Sequence, residues 1–143
     1  MLEPRRVSMH VHEIIATHPD VHGNVNHALL DCIEHCFDCE QACIVCADAC
    51  LAEDDVDELK QCIRLSLDCA DVCRATGSMA SRRTGSNERL LRLMLEICQA
   101  ACELCEQECR RHAGAHAHCR VCADACAECR NACDQAVLSV TPS

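Results

Sequence analysis

Cys32, Cys36, Cys39, Cys43, Cys46 and Cys50 follow one another at alternating intervals of four and three residues. Cys98, Cys102, Cys105 and Cys109 keep that beat, as do Cys119, Cys122, Cys126, Cys129 and Cys133. Cys62, Cys69 and Cys73 keep it with one beat replaced by Ser66. Thiols are soft ligands that select Cu(I), zinc or iron–sulfur clusters. Spacings of three and four are also the inward seam of an amphipathic helix, where Leu, Ile or Val would normally stand. The seam thus reads as a core made to hold what thiols bind.

The 18 cysteines resolve into eight i,i+4 pairs plus Cys62 and Cys119. The pairs are Cys32/Cys36, Cys39/Cys43, Cys46/Cys50, Cys69/Cys73, Cys98/Cys102, Cys105/Cys109, Cys122/Cys126 and Cys129/Cys133. Residues four apart share a helix face, with Cβ atoms about 5–6 Å apart, so two sulfurs can grip one ion. Charge favours a monovalent ion. Many Cu(I) ions sharing thiolates neutralise the column, whereas separate four-thiolate zinc sites would each leave buried negative charge. The same residues also spell C-x-x-C, as at Cys36/Cys39 and Cys102/Cys105, but the spacers are mostly helix-compatible, with no Gly or Pro, unlike the turns of a zinc ribbon. A zinc or cadmium thiolate buffer and a disulfide redox-sensing bundle remain as alternatives. No Gly-rich cofactor loop appears, and no cysteine stands apart as a nucleophile, so the chain is not read as an enzyme.

These seams need helices to carry them. Short amphipathic spacing covers about 7–17 and stops at His18-Pro19. Main helices are expected at about 24–51 (N-cap Asn24), 55–80 (capping box Asp55 and Glu58), 87–112 and 116–138. Gly77, Ser81 to Ser86 and Gly85 mark the second connection, Gly114 sits in the third, and the tail from Thr141 is expected to fray. The expected fold is all-α: a single domain over 1–143, an up-down-up-down four-helix bundle with a short extra N-terminal helix. Beyond the thiols the seams continue into Val25, Leu29, Thr76, Ala80, Leu91, Leu95, Ala136 and Val140, which such a topology gathers at one end as a mostly apolar plug. Cys46, Cys50, Cys62, Cys109 and Cys119 run to the other end, beside an acidic loop (Glu53, Asp54, Asp55) and a histidine-rich one (His112, His116, His118).

A solvated loop is the ordinary reading of any one histidine there; three beside Cys119 point to metal uptake or auxiliary ligation. Asp54, Asp55 and Glu58 read first as caps, with Asp54 also carried as a candidate ligand. Met9, Met79 and Met94 are assigned to packing. His10, His12, His18, His22 and His27 receive no role.

Composition narrows the setting. The net charge of −10 argues against nucleic acid and anionic membrane surfaces. No apolar run approaches the ~20 residues of a membrane span. Arg5-Arg6 could open an export signal, but no apolar stretch follows, so the chain is expected in the cytoplasm, where thiols stay reduced. Phe37 is the sole aromatic, which leaves a core weak in purely hydrophobic terms and dependent on bound metal.

The runs Cys-Phe-Asp-Cys (36–39), Cys-Ala-Asp-Ala-Cys-Leu (46–51), Cys-Ile-Arg-Leu (62–65) and Leu-Asp-Cys-Ala (67–70) resemble the bacterial copper storage proteins. So do Glu-Cys-Arg-Arg-His-Ala-Gly (108–114) and His-Cys-Arg-Val-Cys-Ala-Asp (118–124). The resemblance is to the cytosolic branch and covers nearly the whole chain, including Met9-His10-Val11 and His18-Pro19. It implies a four-helix bundle filled with many Cu(I) ions on cysteine thiolates, assembly into homotetramers, and a role in storing copper and limiting its toxicity. It also implies that the third-loop histidines, here His112, His116 and His118, serve the bundle mouth. Copper chaperones or small-molecule thiols are the candidate donors.

Overall fold

A computed structural model describes residues 10–140. Within them α1 spans His10–Ala16, α2 His27–Leu51, α3 Lys60–Ser81, α4 Glu88–His112 and α5 Ala117–Ser139, with a single 3₁₀ turn at Val56–Leu59 ahead of α3. The expected start of the first helix at residue 7, the Arg5-Arg6 pair, Met9 and the 141–143 tail lie outside the described residues.

The apolar and thiol seams fold the four long helices into a ring in which α2 packs on α3, α3 on α4, α4 on α5, and α5 back on α2. Connections of a few residues leave sequential helices antiparallel. Among the described residues there is no strand, and no helix is long and apolar enough to cross a membrane.

Three local expectations change. The cap of α2 is Asn26 rather than Asn24: its Oδ1 accepts the Leu29 N–H at 3.0 Å. His22 (φ 53°) and Gly23 (φ 73°) hold a left-handed turn, tolerable for His and free for Gly, and it delays the helix start. Asp55 makes no side-chain cap to the turn that follows it, because its carboxylate faces His116, and the α-helix begins only at Lys60. Gly77 is no loop marker; it lies buried inside α3, where a Cβ would come within 3.0–3.1 Å of the Phe37 ring. That glycine lets the lone aromatic wedge between α2 and α3.

The plug is present. Leu29, Thr76, Ala80, Leu91, Leu95, Ala136 and Val140 are buried, and Val25 is partly so. Ile15 of α1 joins them with Leu30 and Ile33, so the N-terminal helix thickens this end. Polar ties close it: Asn26 Nδ2 donates to Ser139 Oγ at 3.1 Å, and Arg92 donates to the Val137 and Val140 carbonyls at 3.2 and 3.1 Å. The latter satisfy acceptors that the end of α5 would otherwise leave open.

Candidate metal centre

Between plug and mouth all 18 cysteines are buried and reduced, none more than 2% exposed. Four of the i,i+4 pairs bring their sulfurs to 3.9–4.0 Å: Cys32/Cys36, Cys39/Cys43, Cys69/Cys73 and Cys105/Cys109. The other close contacts run between helices. Cys32 lies 3.4 Å from Cys133 beside the plug, Cys36 is 3.9 Å from both Cys98 and Cys129, and Cys43 is 3.8 Å from Cys122 and Cys126. Cys62 and Cys119, unpaired along their own helices, find Cys109 at 3.7 Å and Cys50 at 3.9 Å.

The sulfurs form sets, each with donors within 4.8 Å of one another: Cys36/Cys98/Cys129/Cys133 beside the plug, and three that overlap, Cys39/Cys69/Cys73/Cys102, Cys39/Cys43/Cys69/Cys126 and Cys43/Cys105/Cys122/Cys126. Cys39, Cys43, Cys69 and Cys126 each belong to two sets. Shared donors suit ions that bridge through common thiolates better than isolated tetrahedral ions with private ligands. Ser66, fully buried at the missing beat, turns its hydroxyl toward Cys105 Sγ at 3.7 Å. A hydroxyl is a hard donor, so α3 offers no soft ligand at that level.

Proximity divides the protons unevenly. Cys133 and Cys36 donate toward Cys32 and lower it to about 5. Thiols at Cys102 and Cys126 likewise lower Cys39, while Cys105 and Cys122 push Cys43 up. Near the mouth, burial itself raises Cys50 and Cys119. The raised thiols, Cys43, Cys50 and Cys119 among them, therefore hold protons until cations replace them, and loading there is coupled to proton release.

At the mouth the three histidines each face a carboxylate through Nε2. His112 meets Glu108 Oε2 at 2.9 Å, His116 meets Asp55 Oδ2 at 3.0 Å, and His118 meets Glu53 Oε2 at 3.3 Å. An ionised carboxylate only accepts, so at His112 and His118 Nε2 carries the proton and Nδ1 keeps a lone pair, whereas His116, with a carboxylate at each ring nitrogen, donates from both. For His118 that lone pair faces sulfur, with Cys46 Sγ at 3.5 Å and Cys119 Sγ at 3.6 Å. His116 and His118 stack with ring centroids 5.5 Å apart, and Glu53 also contacts His116 Nδ1. The Asp55 contact raises His116, and the same contact lowers Asp55.

The predicted residues therefore gather, with one exception. Asp54 points to solvent outside the cluster, and its neighbours Glu53 and Asp55 meet the imidazoles. Loop direction decides which of three consecutive acids turns inward. Glu108, 8% exposed, was missed, although its place four residues before His112 is a readable helical contact. The N-terminal histidines that the structure ties down sit elsewhere: His18 accepts the Asp20 N–H at 3.0 Å and meets Thr84 Oγ1 at 3.2 Å across the plug end.

Comparison with known proteins agrees with this geometry. A family model described as copper storage protein matches residues 25–138. The copper storage protein Ccsp of Streptomyces lividans, loaded with 10 copper equivalents, is 48% identical, with a TM-score of 0.85 over 92% of this chain and 99% of that one. A structure of copper loading to a cytosolic copper storage protein from Streptomyces lividans, with five coppers, is 50% identical. Its TM-score is 0.77 over 81% of this chain and 96% of that one. An uncharacterized cysteine-rich protein of Bacillus subtilis, YhjQ, is 37% identical over 102 residues, 71% of this chain and 89% of its own length.

Proposed function

This chain belongs to the copper storage protein family, and from that premise we propose that it is a cytosolic store and detoxifying sink holding many Cu(I) ions inside its bundle. The observation that carries the proposal is the column of buried thiols, grouped in four-donor sets that overlap through its middle and running from the histidine mouth to the aliphatic plug. Cu(I) entering at His112, His116 and His118 passes to Cys46, Cys50, Cys62, Cys109 and Cys119. From there it moves inward by exchange between neighbouring sulfurs, as from Cys109 to Cys105 and on to Cys43, each step 4.0 Å. Each ion neutralises a thiolate, so filling removes the charge penalty that an empty, deprotonated core would carry. The ligands are the 18 cysteines, with the three histidines at the mouth. The Streptomyces lividans relative was loaded with copper to different levels, which supports stepwise filling.

The family takes its name from storage rather than from a reaction, and we assign the chain no catalytic step. We further propose self-association into a homotetramer. Leu90, Leu93, Ile97 and Leu104 form an exposed apolar stripe along the outer face of α4, and a second copy would cover it. The acidic surface leaves nucleic acid and anionic membranes as poor partners.

Anaerobic titration of the reduced protein with Cu(I), against a strong Cu(I)-specific chelator, tests the storage reading. Roughly one ion per thiol, retained against the chelator, is expected. Saturation after a few ions, or surrender of copper while zinc stays bound, would overturn it.

A further inference from the structure

Every four-donor set named above for the interior is all sulfur; at the mouth, Cys46, Cys50, Cys119 and His118 form a different one. Their donor atoms all lie within 4.8 Å of one another. A tetrahedral ion with Zn–S near 2.3 Å and Zn–N near 2.05 Å requires S···S edges of about 3.8 Å and S···N edges of about 3.5 Å. The structure has Cys50–Cys119 at 3.9 Å, Cys46–His118 Nδ1 at 3.5 Å and Cys119–His118 Nδ1 at 3.6 Å. Behind the imidazole, Glu53 accepts from Nε2, the carboxylate–histidine arrangement that orients a metal-bound imidazole.

We propose that these four residues are a tetrahedral Zn²⁺ site, one per chain, seated at the mouth of the copper column. Charge separates it from the interior sets. Zn²⁺ on three thiolates and one neutral imidazole carries −1 beside water and the His116 side chain. Zn²⁺ on four interior thiolates would carry −2 among helices whose backbone N–H groups are already spent on their own carbonyls. Before copper reaches it, the mouth thus suits a borderline divalent ion, where the interior sets suit only soft monovalent ones. A zinc ion there covers the outermost sulfurs while the column is empty or partly filled.

The inference rests on the storage reading only in requiring reduced thiols. Its test uses the reduced, copper-free full chain without oxygen. Co²⁺ serves as the spectroscopic probe, Zn²⁺ as competitor, and X-ray absorption reads the zinc ligands. One Co²⁺ per chain should give the intense ligand-field bands of a tetrahedral thiolate site and be displaced by one Zn²⁺, with three sulfurs and one nitrogen around the zinc. E53Q should weaken Zn²⁺ binding about 10–100-fold, and H118A at least as much. A four-sulfur zinc shell, several equivalents before saturation, or an unchanged Co²⁺ spectrum in H118A would overturn the site. Cu(I) capacity measured on the same H118A sample reports the column separately. Failure of the zinc site with capacity intact leaves storage standing.

Discussion

The two ends of the bundle use the same seam positions for opposite purposes. At the closed end these positions carry Leu29, Leu91, Leu95, Thr76, Ala80, Ala136 and Val140, packed without a donor for metal beyond Cys32 and Cys133. At the open end they carry Cys46, Cys50, Cys62, Cys109 and Cys119, backed by imidazoles and carboxylates. The contrast teaches that stability and ligand traffic have been separated along one axis. On the proposed uptake route, the end packed with aliphatic side chains is not the end through which copper passes.

The sharpest way to break that contrast is Leu95→Ala. Leu95 is fully buried in the plug, and its truncation should cost the copper-free protein about 2–5 kcal/mol, read by urea unfolding. Cu(I) capacity should change little. A large capacity loss would show that the plug also shapes ligand sites. At the mouth the H112A/H116A/H118A variant should do the reverse: stopped-flow loading several-fold slower, with near-normal final capacity and helicity. Equal loading rates would remove the mouth's role in uptake.

Between the ends, Ser66→Cys restores the missing beat beside Cys105. It should add about one Cu(I) per chain, while Ser66→Ala adds none. Identical counts for all three proteins would mean that this level already has enough sulfur.

Asp55→Asn tests the smallest effect. His116 titrates above its ordinary 6.5 because Asp55 accepts its proton, and Asp55 titrates below its ordinary 3.8 because of the same bond. The histidine's contribution is complete below its unfolded value near 6.5 and is lost as pH rises through the raised one. The aspartate's is present above its unfolded value and is lost as pH falls through the depressed one. In copper-free Asp55→Asn the His116 midpoint, followed by NMR, should fall back toward 6.5. A midpoint that stays put would assign the shift to Glu53.

The long helices were legible because a period of 3.5 on four segments has few other solutions, and the cysteine positions followed from it. Where a residue's partner lies outside its own helix, the reading lost resolution. Asn24 and Asn26 are equally good caps in isolation; the left-handed turn at His22-Gly23 selects the second. Asp54 and Asp55 are interchangeable until the loop's path turns Asp55 to His116. The i,i+4 thiol pairs were also only half of the pattern. Contacts such as Cys62–Cys109 and Cys50–Cys119 depend on how the helices register against one another, which spacing along one helix does not encode.

The three-four beat has a consequence for scale. A seam is a lattice with one long dimension, so its capacity grows with length and not with volume. Seven residues inserted in each long helix would extend the barrel by about 10 Å and add about two inward positions per helix, leaving both ends untouched. Such an architecture is a ruler for cargo: lengthening or shortening the staves by whole heptads would reset the inventory without redesigning the lid or the floor.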